Sequence, residues 1–339
     1  MPTENTIEEP LEKHKKTRRS RFKRDKDEAK KPFVFTSRDY EVLKHLYNAR
    51  SLTSQQLWDL VCETESRGTK GSRALLRRLR RLYDHGYIDR LYNQQFHVFD
   101  PRSQGEAGRQ DFVYALGNEG ARLLAQGAGD VLIQMRDFSE NNREIKWPQI
   151  QHSLMISQAY VALQCAAKLA PNMQIHEWRQ GEELSWGFYS DESGALREDV
   201  DALDVRRDGL IRHSVRPDAF FSLYRTDTHT PLYFFLEADR GTMTEARFCG
   251  KIQSYLLFKR HGLLARRLPG ASRFVVLTVT KSEARRDNLI RATKRVPGIE
   301  SEPCTFRFAF EGQYLKNFED FREQIWFDPV TLRRLKILQ

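Results

Sequence analysis

The chain has 339 residues, 40% hydrophobic and 30% charged, which is enough to bury the cores of two ordinary domains and excludes disorder throughout. With 56 Lys and Arg against 46 Asp and Glu it carries a net charge of +10, which favours a polyanionic partner such as nucleic acid. The scattered Cys62, Cys165, Cys249 and Cys304 contain no CxxC pair and argue against a zinc knuckle or disulfide framework, while no apolar run approaches the roughly 20 residues of a membrane span.

In chain order, Lys13 to Lys31 is crowded with cations and nearly free of large apolar side chains, so residues 1–32 are expected to form a disordered basic arm. Lys15, Lys16, Arg18 and Arg19 would bind DNA phosphates there, the plainer alternative being a solubilising tail. Residues 33–130 read as a winged helix-turn-helix. Thr36 or Ser37 caps a first helix with Val42, Leu43 and Leu46 on one face, and Thr53 or Ser54 caps a second with Leu57, Leu60 and Val61.

A third helix places Leu75, Leu79 and Leu82 on a packing face and Arg73, Arg77, Arg80 and Arg81 on another side, ending at His85-Gly86. Two strands, YIDRLYNQQFHVF and DFVYALG, would then form a wing around a loop, with NEGARLLAQ returning as a helix. Arg73, Arg77, Arg78, Arg80, Arg81 and Arg90 are the candidate contacts to double-stranded DNA, with a solvated cationic face as the plainer reading.

Residues 131–148 are polar and lack periodicity, which predicts a linker, and residues 149–339 make the second domain. Its pattern is a helix, three strands (one within NMQIHEWRQGEELSW, then RPDAFFSLYR and PLYFFLEADRG), a helix, the strand RFVVLTVT, a helix and the strand TFRFAFEGQ. That order predicts an α/β fold, α+β overall, with helices on a mixed sheet. Asp218 opens one strand, while Glu237 and Asp239 lie two apart near the end of the next and share a face. Pairing through RTDTHTP would bring these carboxylates together, and Asp218 and Glu237, helped by the Ala238 carbonyl, could hold Mg²⁺ or Mn²⁺.

Pro217-Asp218, Glu237-Ala238-Asp239, Lys251 and Tyr255 together resemble the PD-(D/E)xK nuclease core, a restriction-endonuclease-like fold. Asp239 stands where that core has its lysine, and the resemblance implies that Lys251 supplies the cation from the following helix, with Tyr255 one turn on. Glu183 would assist the same cluster. Through LRRLRRLYDHGYIDR, YALGNEGARLL, HSLMISQAYVAL, RPDAFFSLY, FFLEADRGTM and KIQSY, roughly residues 36–295 also resemble the replication-relaxation family of plasmid and phage proteins. That resemblance implies work on the DNA of a mobile genetic element, alongside partner proteins of the same element, and with no apolar segment of the signal-peptide kind at the N-terminus the protein is expected in the cytoplasm, at the nucleoid. A two-fold DNA site would imply a homodimer.

The expected activity is therefore Mg²⁺-dependent DNA endonuclease cleavage, the alternative being a non-catalytic replication initiator or transcriptional regulator with a degenerate nuclease fold. Asp and Glu at strand ends also serve as loop caps or pair with neighbours such as Arg216 and Arg240. No HxH array of a histidine-cluster relaxase occurs among the nine histidines, and no GxxxxGK[ST] loop is present. His213-Ser214-Val215-Arg216 matches the letters of a recombinase HxxR element, but Pro217 follows and denies it a helix.

Overall fold

The computed structural model describes residues 23–62, 69–91, 112–128, 136–181, 184–197, 210–268, 271 and 273–338. Lys15, Lys16, Arg18, Arg19, Glu183 and the loop expected between the wing strands lie outside them. No helix of the described residues is long and apolar enough to cross a membrane.

The N-terminal unit begins with the short helix α1 (Lys26–Ala29), followed by α2 (Ser37–Ala49), strand β1 (Ser51–Thr53), α3 (Ser54–Val61) and α4 (Thr69–Asp84). Strands β2 (Ile88–Arg90) and β3 (Val113–Leu116) lead to helix α5 (Asn118–Ala128). Both expected capping pairs form, and the one at Thr53 is reciprocal. Asp39 accepts the Thr36 N–H at 2.7 Å, and at α3 Thr53 and Gln56 exchange bonds of 2.9 and 3.1 Å, satisfying donors that a helix start leaves open. Helix α4 ends where Gly86 adopts φ +84°, with its own N–H on the Tyr83 carbonyl and that of Tyr87 on Leu82, a turn that a Cβ would strain. The three strands pair antiparallel in the order β1-β3-β2.

Part of the segment expected as a basic arm is structured. Lys23 to Val34 lies against α4: Arg24 pairs with Asp89, Asp25 N donates to Asp84, and Arg80, Arg81 and Arg78 hold the carbonyls of Lys23, Pro32 and Val34. Apolar Phe33 and Phe35, packed with Tyr87, anchor this strap. The expected linker is also partly structured. Helix α6 (Phe138–Glu144) sits within it, and Asn142 reaches the Leu116 carbonyl and Asp89.

Helix α7 (Trp147–Lys168) serves two cores. Tyr160 and Val161 complete the cluster of Leu43, Leu46 and Leu57, while Met155, Ala159, Leu163 and Ala166 cover the large sheet. Polar bonds tie the same seam, with Ser153 on Ser51, Ser157 on the Ala49 carbonyl and His45 on Tyr160.

The strands that follow are β4 (Met173–Arg179), β5 (Trp186–Ser190), β6 (Leu196–Arg197), β7 (Ile211–Val215), β8 (Ala219–Arg225) and β9 (Thr230–Asp239). Helices α8 (Glu245–Arg260) and α9 (Leu263–Arg267), strand β10 (Val275–Thr280), helix α10 (Glu283–Lys294) and strands β11 (Phe306–Phe310), β12 (Trp326–Phe327) and β13 (Arg334–Leu335) complete the unit. Seven strands form one mixed sheet in the order β13-β12-β11-β10-β9-β8-β4, with β9, β10 and β11 parallel.

Strand alternation splits adjacent phenylalanines between the layers. Phe221 stacks on Phe234 at 4.8 Å on the α7 side, whereas Phe220 and Phe235 meet on the side of α8 and α10. The fold is thus α/β with a large mixed sheet between helices, as read from the sequence. Strands β5, β6 and β7 form a separate small sheet, in which His213 bonds to Ser190 and stacks on Phe188, so the HxxR letters fall on the end of a strand and the residue after it.

Candidate active site

The cleft opens at the carboxyl end of β9, beside its parallel neighbour β10. In open α/β sheets this edge is where backbone ends and helix starts leave room for a ligand. Strand β7 runs through Arg216 and Pro217 to Asp218, whose N–H closes onto the Leu236 carbonyl at 2.9 Å, fixing Asp218 alongside Glu237. The lining includes His152, Asp218, Glu237, Asp239, Arg240 and Lys251, around a volume of about 230 Å³.

Every carboxylate there has a named partner. Asp218 Oδ2 accepts the Ala238 N–H at 2.7 Å. Asp218 Oδ1 lies 2.9 Å from His152 Nε2. Glu237 Oε1 accepts the Tyr255 hydroxyl at 2.5 Å, and its Oε2 pairs with Lys251. Lys251 and Tyr255 are one turn apart on α8, so one helix face supplies both. Asp239, two residues on along the same face, accepts Arg285 Nε and Nη2 at 3.0 and 2.8 Å and belongs to a separate pair.

Burial, with the Asp218 charge adding to it, pushes the Glu237 carboxyl up to about 7 against the pull of Lys251. Burial works the same way on Asp218, but the hydrogen bond from His152 and the Lys251 charge hold it below the usual range. Burial pulls Lys251 down, yet Glu237 and Asp218 outweigh it and keep the ammonium charged. His152 is raised by its bond to Asp218. The cleft thus pairs a firmly ionised carboxylate with one that changes charge near neutrality.

The donor set fits a magnesium-like ion in one manner only. Among the described residues no group of three His, Cys, Asp or Glu is arranged to enclose a metal. Two neighbouring carboxylates suffice for an ion that keeps several waters and shares substrate phosphate oxygens. Asp218 and Glu237 would hold it once Lys251 yields Oε2.

The arginines expected to contact DNA divide into two groups. Arg78 donates to the buried Asp39 at 2.7 Å and lies 4.1 Å from the Phe33 ring, Arg80 donates to Asp84, and Arg81 to Glu28. Arg90 is stacked on Phe112 and Tyr83. Arg73 and Arg77 are exposed.

His152 and Arg285 escaped the sequence reading, whereas Arg240 was named there as a neighbour of the strand-end acids. Arg240 bridges to the Pro148 carbonyl and Gln151 at the start of α7, and Arg285 anchors Asp239 from α10. A histidine near the polar start of an otherwise apolar helix was the available signal for His152, but its partner stands 66 positions away.

An acidic cleft with one lysine, at the carboxyl edge of a mixed sheet between helices, defines the class of architecture. The chain belongs to the replication-relaxation family, which matches residues 43–268 and so takes in α3, α4, α7 and every residue of the cleft but Arg285. Membership suggests a role in the replication or relaxation of a mobile element and an interaction with DNA. No curated protein and no solved structure matches the chain.

Proposed function

We propose that this chain binds the DNA of a mobile element and hydrolyses its phosphodiester bonds with a Mg²⁺ or Mn²⁺ held by Asp218 and Glu237. The observation that carries this reading is the convergence of Asp218, just before β8, with Glu237 of β9 and Lys251 of α8 in a single cleft. The bound ion would lower the pKa of a water and stabilise charge developing on the phosphate. Lys251 then faces the phosphate as a fixed positive charge, Tyr255 orients Glu237, and His152 orients Asp218.

The order of α2, β1, α3, α4, β2 and β3 supports reading the N-terminal unit as a winged helix-turn-helix, with α4 as the helix that enters the major groove. A second reading, a DNA-binding initiator or regulator without turnover, is favoured by one observation. Each oxygen of Asp218 and Glu237 already accepts a protein donor.

Supercoiled and linear DNA incubated at low salt with Mg²⁺, Mn²⁺ or EDTA separates the two readings. Metal-dependent nicking by the wild type, lost in Glu237→Ala, is the expected result. Binding without nicking under every condition would leave the initiator or regulator.

A further inference from the structure

Resting on the DNA-binding reading above, we propose that duplex DNA seats on the N-terminal half of α4 through Arg73 and Arg77, while the other arginines of that helix hold the protein together. In a helix, residues 73, 77, 80 and 84 fall on one stripe. Its lower half is closed, because Arg80 pairs with Asp84 and grips the Lys23 carbonyl of the strap. Its upper half is open, since Arg73 and Arg77 are exposed and make no ion pair among the described residues.

The surrounding acids explain the asymmetry. Asp39, Asp84, Glu28 and Asp89 each bond an arginine, namely Arg78, Arg80, Arg81 and Arg24. These contacts engage four cations within the protein and, among the described residues, leave no carboxylate paired with Arg73 or Arg77. Two guanidinium forks about 6 Å apart along the axis then project from the half-helix that contacts base edges in helix-turn-helix proteins. Arginine is the side chain that reads guanine bidentately and bridges phosphates, so charge and geometry favour duplex DNA over an apolar or cationic partner.

Fluorescence anisotropy of the full chain with a plasmid-derived duplex in EDTA, across a salt series, tests this, with single-stranded RNA of the same length as the competing probe. Replacing both Arg73→Gln and Arg77→Gln should weaken duplex binding at least about tenfold and flatten the log K against log salt slope by about two. Arg78→Lys should melt earlier and keep the wild-type slope, which separates a lost contact from a loosened fold. An unchanged affinity and slope in the double variant, with wild-type binding intact, would overturn this inference alone. Preference for the RNA would also overturn it. Failure of the wild type to bind any duplex at low salt would instead remove the DNA-binding reading itself. Since both side chains are exposed, circular dichroism should show the double variant folded.

Discussion

The cleft at the end of β9 and the arginine-rich helix α4 satisfy the same electrostatic requirement in opposite ways. In the cleft, the acids Asp218, Glu237 and Asp239 are gathered within a short stretch of fold, and their partners His152, Lys251 and Arg285 come from three separate helices. On α4 the cations are gathered, and the acids Glu28, Asp39 and Asp84 come to them from α1, α2 and α4 itself. A buried charge without a partner is costly in either sign, so each cluster fixes the segments around it. The difference lies in what is left over. The cleft has no spare carboxylate oxygen on Asp218 or Glu237, whereas α4 keeps two exposed arginines.

The largest effect expected from this contrast concerns a pair on α4 that has no external role. Arg78→Ala leaves the carboxylate of Asp39, 1% exposed, without its guanidinium and should cost about 3 kcal/mol in urea unfolding. Arg73→Ala should stay within about 0.5 kcal/mol. Equal losses would erase the distinction between inner and outer arginines.

On the cleft side, His152→Ala removes the partner of Asp218 Oδ1, and metal-dependent nicking should fall roughly 10- to 100-fold, with metal affinity measured by calorimetry falling too. Nicking at the wild-type rate would show that the pair is incidental.

A smaller effect belongs to the seam between the two regions. Burial, with Lys168 adding to it, pushes the His45 imidazole down to about 4 from its ordinary 6.5. Above 6.5 the ring is neutral in both states, whereas between 6.5 and 4 only the unfolded chain takes up the proton. Stability should therefore fall as the pH drops through that window, by about 2 kcal/mol between roughly pH 7 and 5. His45→Gln should flatten this part of the profile in thermal melts, and an unchanged slope would show that another group governs it.

Much of the sheet was legible because long strands carry period-two patterns and caps carry short local signals. Thr36 with Asp39 and Thr53 with Gln56 are such signals, and the adjacent phenylalanines of β8 and β9 mark strands covered on both faces. The clustering of Asp218, Glu237 and Lys251 followed from strand order and a resemblance to a known core. Trp186–Ser190 and Ile211–Val215 were missed as strands because five residues of mixed polarity give no clear period. The duties of Arg78, Arg80 and Arg81 were illegible for a different reason. Helical spacing shows which side chains share a face, but not that a segment some 50 residues earlier returns to cover it.

Helix α7 gives this architecture a limited modularity. Its Tyr160 and Val161 wall one core while Met155, Leu163 and Ala166 wall the other, so the halves are not beads on a string. A fragment ending at the apparent junction would lack a side of its own core, and a chimera made by exchanging the N-terminal unit would inherit a mismatched wall. If α4 reads DNA as proposed, altering the target sequence therefore calls for substitutions on the outer face of that helix, with the shared helix α7 retained.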